Sequence, residues 1–258
     1  MNVTVQQGAI QESTADTIIV NLFDDVTTPH GGTGAVDQAL DGAISELIAN
    51  GDLSGQEGEV GVFYPRGMIP AKRVLIVGLG KREGFDLEGV RKAAAYAIKR
   101  AKELNGQNVA TIVHGAGVAG LDPYAAAQAV TEASALALYE YDAEAHDNFE
   151  GRLTSIYGPL FDEESEAKQQ ITLTLVEFDE SKIADMEAGA RVGGIVAQGV
   201  SLARDLVNLP PNIATPSKMA DTAVEIAKKF GLTAEIGDRA WAEMHKMGAF
   251  LAVAKGAC

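Results

Sequence analysis

Arg73-Val74-Leu75-Ile76-Val77-Gly78-Leu79-Gly80 is an apolar run that closes on glycine, and the stretch from Leu87 to Leu104 behind it is rich in alanine. A short run without polar alternation fits a parallel strand buried on both faces. Asp86 has the chemistry of an N-cap for the helix that follows. Gly78, Gly80 and Gly84 are spaced as G-x-G-x-x-x-G, one residue longer than a dinucleotide fingerprint, and Lys81 and Arg82 occupy the turn. The helix start therefore lies beyond the glycines, and strand, turn and helix account for the stretch without a nicotinamide or flavin.

The same unit recurs on both sides. Asp16-Thr17-Ile18-Ile19-Val20-Asn21-Leu22-Phe23 reads as a buried strand, and Gly31-Gly32-Thr33-Gly34 leads into an apolar helix through Ile44 and Leu47. Strand, glycine loop and helix can present backbone N–H groups to a phosphate, and they equally build any tight crossover. Asn108 to Val113 is a further strand, Gly115 to Gly120 a glycine loop, and Pro123 to Tyr141 a helix capped by Asp122. Ile171 to Phe178 adds a partly alternating strand. Strands alternating with helices imply the α/β class, a mostly parallel sheet with helices on both faces.

Glu187 to Asn208 reads as one long helix with interior glycines Gly193, Gly194 and Gly199. Each costs about 0.5 to 1 kcal/mol relative to alanine, which predicts close packing against another backbone. Pro210-Pro211 ends that helix, and Thr215-Pro216 pairs an N-cap with a preferred first helical residue, starting a helix to Phe230. A short strand is expected at Thr233 to Ile236, then a helix led by Asp238. Ala249 to Cys258 has buried-strand character and no polar finish, and the stretch after the junction is too short to close a typical domain.

The 258 residues are 47% hydrophobic, enough for a large core, and the net charge of -15 argues against nucleic acid and anionic membrane surfaces. No apolar run approaches the ~20 residues of a bilayer span, and Met1 opens no basic, then apolar, leader. The single cysteine, Cys258, excludes an internal disulfide. These features predict a cytoplasmic protein.

The sequence offers no catalytic, cofactor-binding or metal residue. Asp221, Glu225, Glu235, Asp238 and Glu243 are dispersed where helix faces and caps are expected, and His30, His114, His146 and His245 are isolated from one another. His114, between a buried strand and a glycine loop, is the one histidine placed to matter, with a satisfied loop-edge role as the simpler reading. Cys258 has no basic neighbour beyond Lys255, and Ser201 and Ser217 lack a strand-to-helix elbow.

Three segments carry a resemblance: R-V-L-I-V-G-L-G-K at Arg73 to Lys81, A-R-D-L-V-N-L-P-P-N with T-P following at Ala203 to Pro216, and M-G-A-F-L-A-V-A-K-G at Met247 to Gly256. In this order they resemble the leucyl aminopeptidase family across essentially the whole chain. The resemblance implies a macrodomain-like N-terminal domain over 1–178, a connecting helix over 179–209, and a truncated start of the peptidase domain over 210–258. In that family two divalent ions, manganese or zinc, are bound by carboxylates and a lysine, with an arginine assisting, and all of these follow the M-G-A-x-L-x-V-A-x-G segment. The transfer therefore lands on no residue here. The fragment is expected to hold no metal and to be inactive, while its parent releases N-terminal amino acids from peptides and assembles as a homo-oligomer, usually a hexamer.

A second likeness is local. Asp16 to Asn21 with Gly31 to Ala39, and Val113 to Gly120, resemble the two loops between which macrodomains hold ADP-ribose, so the alternative is a stand-alone module binding that nucleotide. Gly8-Ala9-Ile10 offers alanine where the family has the adenine-binding aspartate, and Leu22-Phe23 is bulky where it has two small residues. These departures imply a shared fold without a shared pocket.

Overall fold

The computed structural model describes residues 1–115, 120–141 and 171–255. Its strands are β1 (Asn2–Gln7), β2 (Thr17–Phe23), β3 (Val60–Phe63), β4 (Arg73–Gly80), β5 (Asn108–Ile112) and β6 (Thr172–Glu177). They form one sheet in the order β1-β6-β5-β2-β4-β3, parallel throughout except where β3 meets β4. The apolar runs are continuous because both faces are covered. Ile19, Leu75, Val77, Val109 and Leu173 face α3 (Leu87–Glu103), α4 (Pro123–Ala137) and the start of α5 (Ile183–Asn208). Ile18, Val20, Val74, Ile76 and Ala110 alternate to the opposite face, beneath α1 (Gly31–Ala39) and α2 (Ala43–Ala49). A fully buried side chain such as Leu75 contributes about 2 kcal/mol through burial alone.

Asp16 fastens the start of β2 to that of β5. Its carboxylate accepts from the Gln107 and Asn108 N–H groups at 2.9 and 2.8 Å and from the Thr17 hydroxyl at 2.6 Å. Burial pushes the Asp16 pKa up, but these hydrogen bonds and the charge of Arg73 hold it below the usual carboxylate value.

The helix caps follow the sequence. Asp86 accepts from the Glu88 and Gly89 N–H groups, Asp122 from that of Ala125, and Thr215 from that of Lys218 ahead of α6 (Pro216–Phe230). Asp238 accepts from the Trp241 N–H at 2.8 Å and caps α7 (Arg239–Met244). Three expectations change. The helix after Asp122 ends at Ala137, with Leu138 as C-cap, short of Tyr141. No strand forms at Thr233 to Ile236, a stretch that is exposed and irregular. The apolar run near the end is helix α8 (Gly248–Ala254), opened by the Leu251 N–H donating to the Met247 carbonyl at 3.0 Å. No strand forms among the described residues of this second unit, and local hydrogen bonds satisfy the helix backbone.

The chain divides into two compact units, Met1–Arg204 and Asp205–Cys258. Within the first, the close approach predicted for α5 occurs at Gly193, where an added Cβ would lie 2.5 Å from the Gln128 carbonyl oxygen of α4. Gly189, one helical turn earlier, meets the Tyr124 carbonyl in the same way, whereas Gly199 faces open space. Thr131 lies in this seam, 1% exposed, and its hydroxyl has no hydrogen-bond partner. Thr131→Val keeps the shape and removes the unpaired group, so it is expected to stabilise the fold by about 1 kcal/mol, read as a higher urea midpoint. An unchanged or lower midpoint would show that the hydroxyl is satisfied in solution.

In the second unit α6 ends on Gly231 in the left-handed conformation, and the Leu232 N–H returns to the Ala227 carbonyl at 2.8 Å. The Trp241 indole stacks on the His245 ring at 3.9 Å and donates to Glu235 at 2.9 Å.

Candidate functional site

Chain direction locates the site before any side chain does. After β2 the chain runs through α1 and α2 toward β3, and after β5 it runs through α4 toward β6 at the other end of the sheet. Adjacent strands whose connections leave in opposite directions open a crevice at their carboxyl ends, where open α/β sheets bind ligands. A cavity of about 500 Å³ lies there, lined by Asn21 and Phe23 at the end of β2, Ile112 and Val113 at the end of β5, and Val176 and Glu177 at the end of β6.

The start of α1 forms one wall. Gly31 has φ +57°, where a β-carbon is strained. A Cβ on Gly32 would stand 2.9 Å from Ile112 Cγ2, so glycine lets the helix start approach β5. Thr33 fastens the helix to β2, its hydroxyl donating to the Asn21 carbonyl at 2.7 Å. The glycine cluster read as a loop is therefore the first turn of the helix itself, and His30 at the N-cap makes no side-chain capping bond. The N–H groups of Gly31, Gly32 and Thr33 have no acceptor among the described residues.

His114 lies between Val113 and Gly115, which line the cavity, without lining it itself. It is 1% exposed and lies 3.1 Å from Asn21, Nδ1 to Nδ2. Burial pushes its pKa down to about 4, so the ring is neutral at pH 7. The asparagine amide donates to an unprotonated Nδ1, which assigns the ring proton to Nε2. This is the satisfied loop-edge role. Of the glycine loop after it, residues 116–119 lie outside the described residues, as do His146 and Cys258.

Of the two bulky residues at the end of β2, Leu22 turns away from the cavity while Phe23 contributes to its lining. Leu22 is buried among Ile18, Val36 and Ile44. Phe23 stands edge-on to Phe85, ring centroids 5.1 Å apart, with the Arg82 guanidinium 4.5 Å above it. At the rim Lys182 is 3.7 Å from Glu177 and 3.6 Å from Asp179, and Gln11 buries an Oε1 that has no hydrogen-bond partner. Sequence reading missed Gln11 and Lys182, since neither belongs to a motif and the fold alone brings them together.

Elsewhere the turn after β4 lies among Glu57, Glu83 and Asp86, a setting unlike a pyrophosphate site. Among the described residues no group of three His, Cys, Asp or Glu side chains could hold a metal ion, and no helix is long and apolar enough to cross a membrane.

Comparison with known proteins agrees with this architecture. Residues 19–144 match the family model described as cytosol aminopeptidase family, N-terminal domain, and residues 201–258 match the catalytic domain of the same family. A probable cytosol aminopeptidase of Alkaliphilus oremlandii is 33% identical over 256 residues, 99% of this chain and 48% of that protein. The cytosol aminopeptidase of Pseudomonas aeruginosa is 34% identical over 223 residues, 86% of this chain and 42% of that protein. The chain thus spans about half the length of these curated relatives. Among solved structures, a tomato leucine aminopeptidase mutant superposes with a TM-score of 0.74 at 23% identity, covering 98% of this chain and 48% of that one. A Trypanosoma brucei macrodomain in complex with ADP gives 0.51 at 15% identity, covering 73% of this chain and 68% of that one. At these identities the two structures speak to the fold, and both fit a mostly parallel α/β sheet.

Proposed function

The chain belongs to the cytosol aminopeptidase family, and from this premise we propose that it is the N-terminal part of a metal-dependent enzyme that releases N-terminal amino acids from peptides. The observation that supports this most is order: the N-terminal-domain match over 19–144 is followed by the catalytic-domain match over 201–258. A self-contained nucleotide-binding module would give the second match no role. In this reading residues 1–178 are the supporting domain, 179–209 the connecting helix and 210–258 the opening of the peptidase domain. The enzyme works in the cytoplasm as a homo-oligomer, a hexamer in the usual arrangement of the family.

The residues described here do not fit a two-ion centre. Such a centre needs several carboxylates converging on ions ~4 Å apart. Asp238 is committed to the N-cap of α7 and Glu235 to the Trp241 indole. Asp221, Glu225 and Glu243 are exposed. The manganese or zinc ions are accordingly assigned to other residues of the enzyme, and no catalytic step is routed through this chain.

The purified 258-residue chain is expected to release no leucine from a leucyl amide with Mn²⁺, Zn²⁺ or Co²⁺. The longest natural chain containing this sequence should do so, lose activity to a chelator, recover it with metal, and sediment as a hexamer. Metal-dependent turnover by the 258-residue chain would overturn the assignment of the ions, and an inactive longer chain would overturn the activity.

A further inference from the structure

A separate cavity, of about 370 Å³, lies at the β1 edge of the sheet, inside the unit Met1–Arg204. β1 is the outermost strand there. Val3 and Val5 pack on the core face that α4 and α5 cover, while Thr4 alternates to the opposite face, its hydroxyl 3.2 Å from that of Thr174. Val3, Val5 and Ala190 make the cavity apolar within, Thr131 closes its inner end with its hydroxyl shut away, and Glu187 and Arg191, both exposed, stand at its mouth. These two occupy positions i and i+4 of α5, in the order that favours an ion pair. Yet neither makes an ion pair or a side-chain hydrogen bond among the described residues. Opposite charges held apart over an apolar recess match a molecule that carries both charges close together on an apolar body.

We propose that this cavity binds a free amino acid with an apolar side chain. Its α-ammonium donates to the Glu187 carboxylate, its α-carboxylate accepts from the Arg191 guanidinium, and its side chain lies against Val3, Val5 and Ala190. Four residues of helix separate the two positions by about 6 Å along the axis, a span that two flexible side chains close onto charges borne by one carbon atom. A fatty acid or a phosphate ester would meet Glu187 as a like charge, and a simple amine would meet Arg191 in the same way, whereas a zwitterion answers both. A zwitterion has no net charge, so the -15 of the chain neither attracts nor repels it. The volume is at the lower end of small-molecule sites, which suits a single amino acid. An amino acid is also the product of the reaction proposed above, but its binding is read on this chain alone and stands or falls separately from that activity.

The test is NMR titration of the 258-residue chain with L-leucine, leucinamide, N-acetyl-leucine and glycine. Leucine is expected to shift the methyl signals of Val3 and Val5 saturably, with a Kd of about 1 mM. Leucinamide lacks the carboxylate, N-acetyl-leucine the ammonium and glycine the side chain, and each is expected to bind about 10-fold more weakly. Arg191→Gln should weaken leucine about 10-fold and leave leucinamide unchanged, and Glu187→Gln should weaken leucine as much and leave N-acetyl-leucine unchanged. Both side chains are exposed, so the two variants should keep the urea midpoint of the unaltered chain. No saturable shift at Val3 and Val5 with millimolar leucine, equal affinity for leucine and its two blocked forms, or leucine binding untouched by both substitutions would each overturn the proposal. Where a variant fails to fold, the comparison of leucine with leucinamide and N-acetyl-leucine on the unaltered chain decides.

Discussion

Gly189→Val is expected to leave the unit Met1–Arg204 without its native helix packing, with a loss of about 3 kcal/mol or more. Any Cβ at Gly189 enters the van der Waals space of the Tyr124 carbonyl, and Gly193 repeats the approach against Gln128. Both pairs are four residues apart, so one face of α5 lies directly on one face of α4, backbone against backbone. The obstacle is main chain held in a helix, so relief requires moving a whole element and with it Met186 and Ala190, which close the core beneath. Against a typical total stability of about 5 to 15 kcal/mol this is a large fraction. Gly199→Ala, where added atoms meet nothing, should instead stabilise by about 0.5 to 1 kcal/mol through helix propensity. Urea unfolding followed by circular dichroism reads both, and equal midpoints for the two variants would refute the packing described for α5.

The second large effect is on pH dependence. The folded pKa of His114 is about 4 against 6.5 for the free side chain. Above pH 6.5 the ring is neutral in both states and contributes no slope. As pH falls from 6.5 toward 4 the unfolded chain binds a proton that the folded chain refuses, so stability falls by roughly 3 kcal/mol across this window and levels off below it. The physical cause is a cation without solvent in a closed pocket, where a protonated Nδ1 would also face the Asn21 amide as donor to donor. Asp16 works in a lower window: its lowered pKa stabilises the fold above the ordinary carboxylate value and is lost in stronger acid. His114→Gln should therefore flatten the dependence between pH 6.5 and 4 while leaving the acid limb below. A His114 ring that titrates near pH 6.5 in the native protein would contradict the argument.

Local chemistry made much of this protein legible in sequence. Asp86, Asp122, Thr215 and Asp238 cap the helices they precede, because an acceptor side chain at a helix start answers N–H groups only a few residues away. The continuous apolar runs of β2 and β4 announced strands covered on both faces, since burial on two sides leaves no position for alternation. The family was legible as well, from the junction at Ala203 to Pro216 and the segments on either side of it. The run Ala249 to Ala254 was misread because six apolar residues satisfy strand and helix equally until a neighbouring strand is present or absent.

The site was decided elsewhere. His114 could be marked as a loop-edge residue from its neighbours in sequence, but its hydrogen bond to Asn21 joins positions far apart in the chain, and its low pKa exists only once the core has closed around it. Gln11, Lys182 and the first turn of α1 converge because the chain leaves β2 and β5 in opposite directions, a property of sheet order that no single segment encodes. Glycine content told that α5 would be approached closely, while Gly189 and Gly193 rather than Gly199 meet α4 because the facing backbone chooses among them. Sequence by itself determined what short-range hydrogen bonding and burial pattern can specify: element type, caps, class and family. Tertiary structure alone decided which distant groups share a low-dielectric cavity, because desolvation and long-range contact come into being only when the chain has folded.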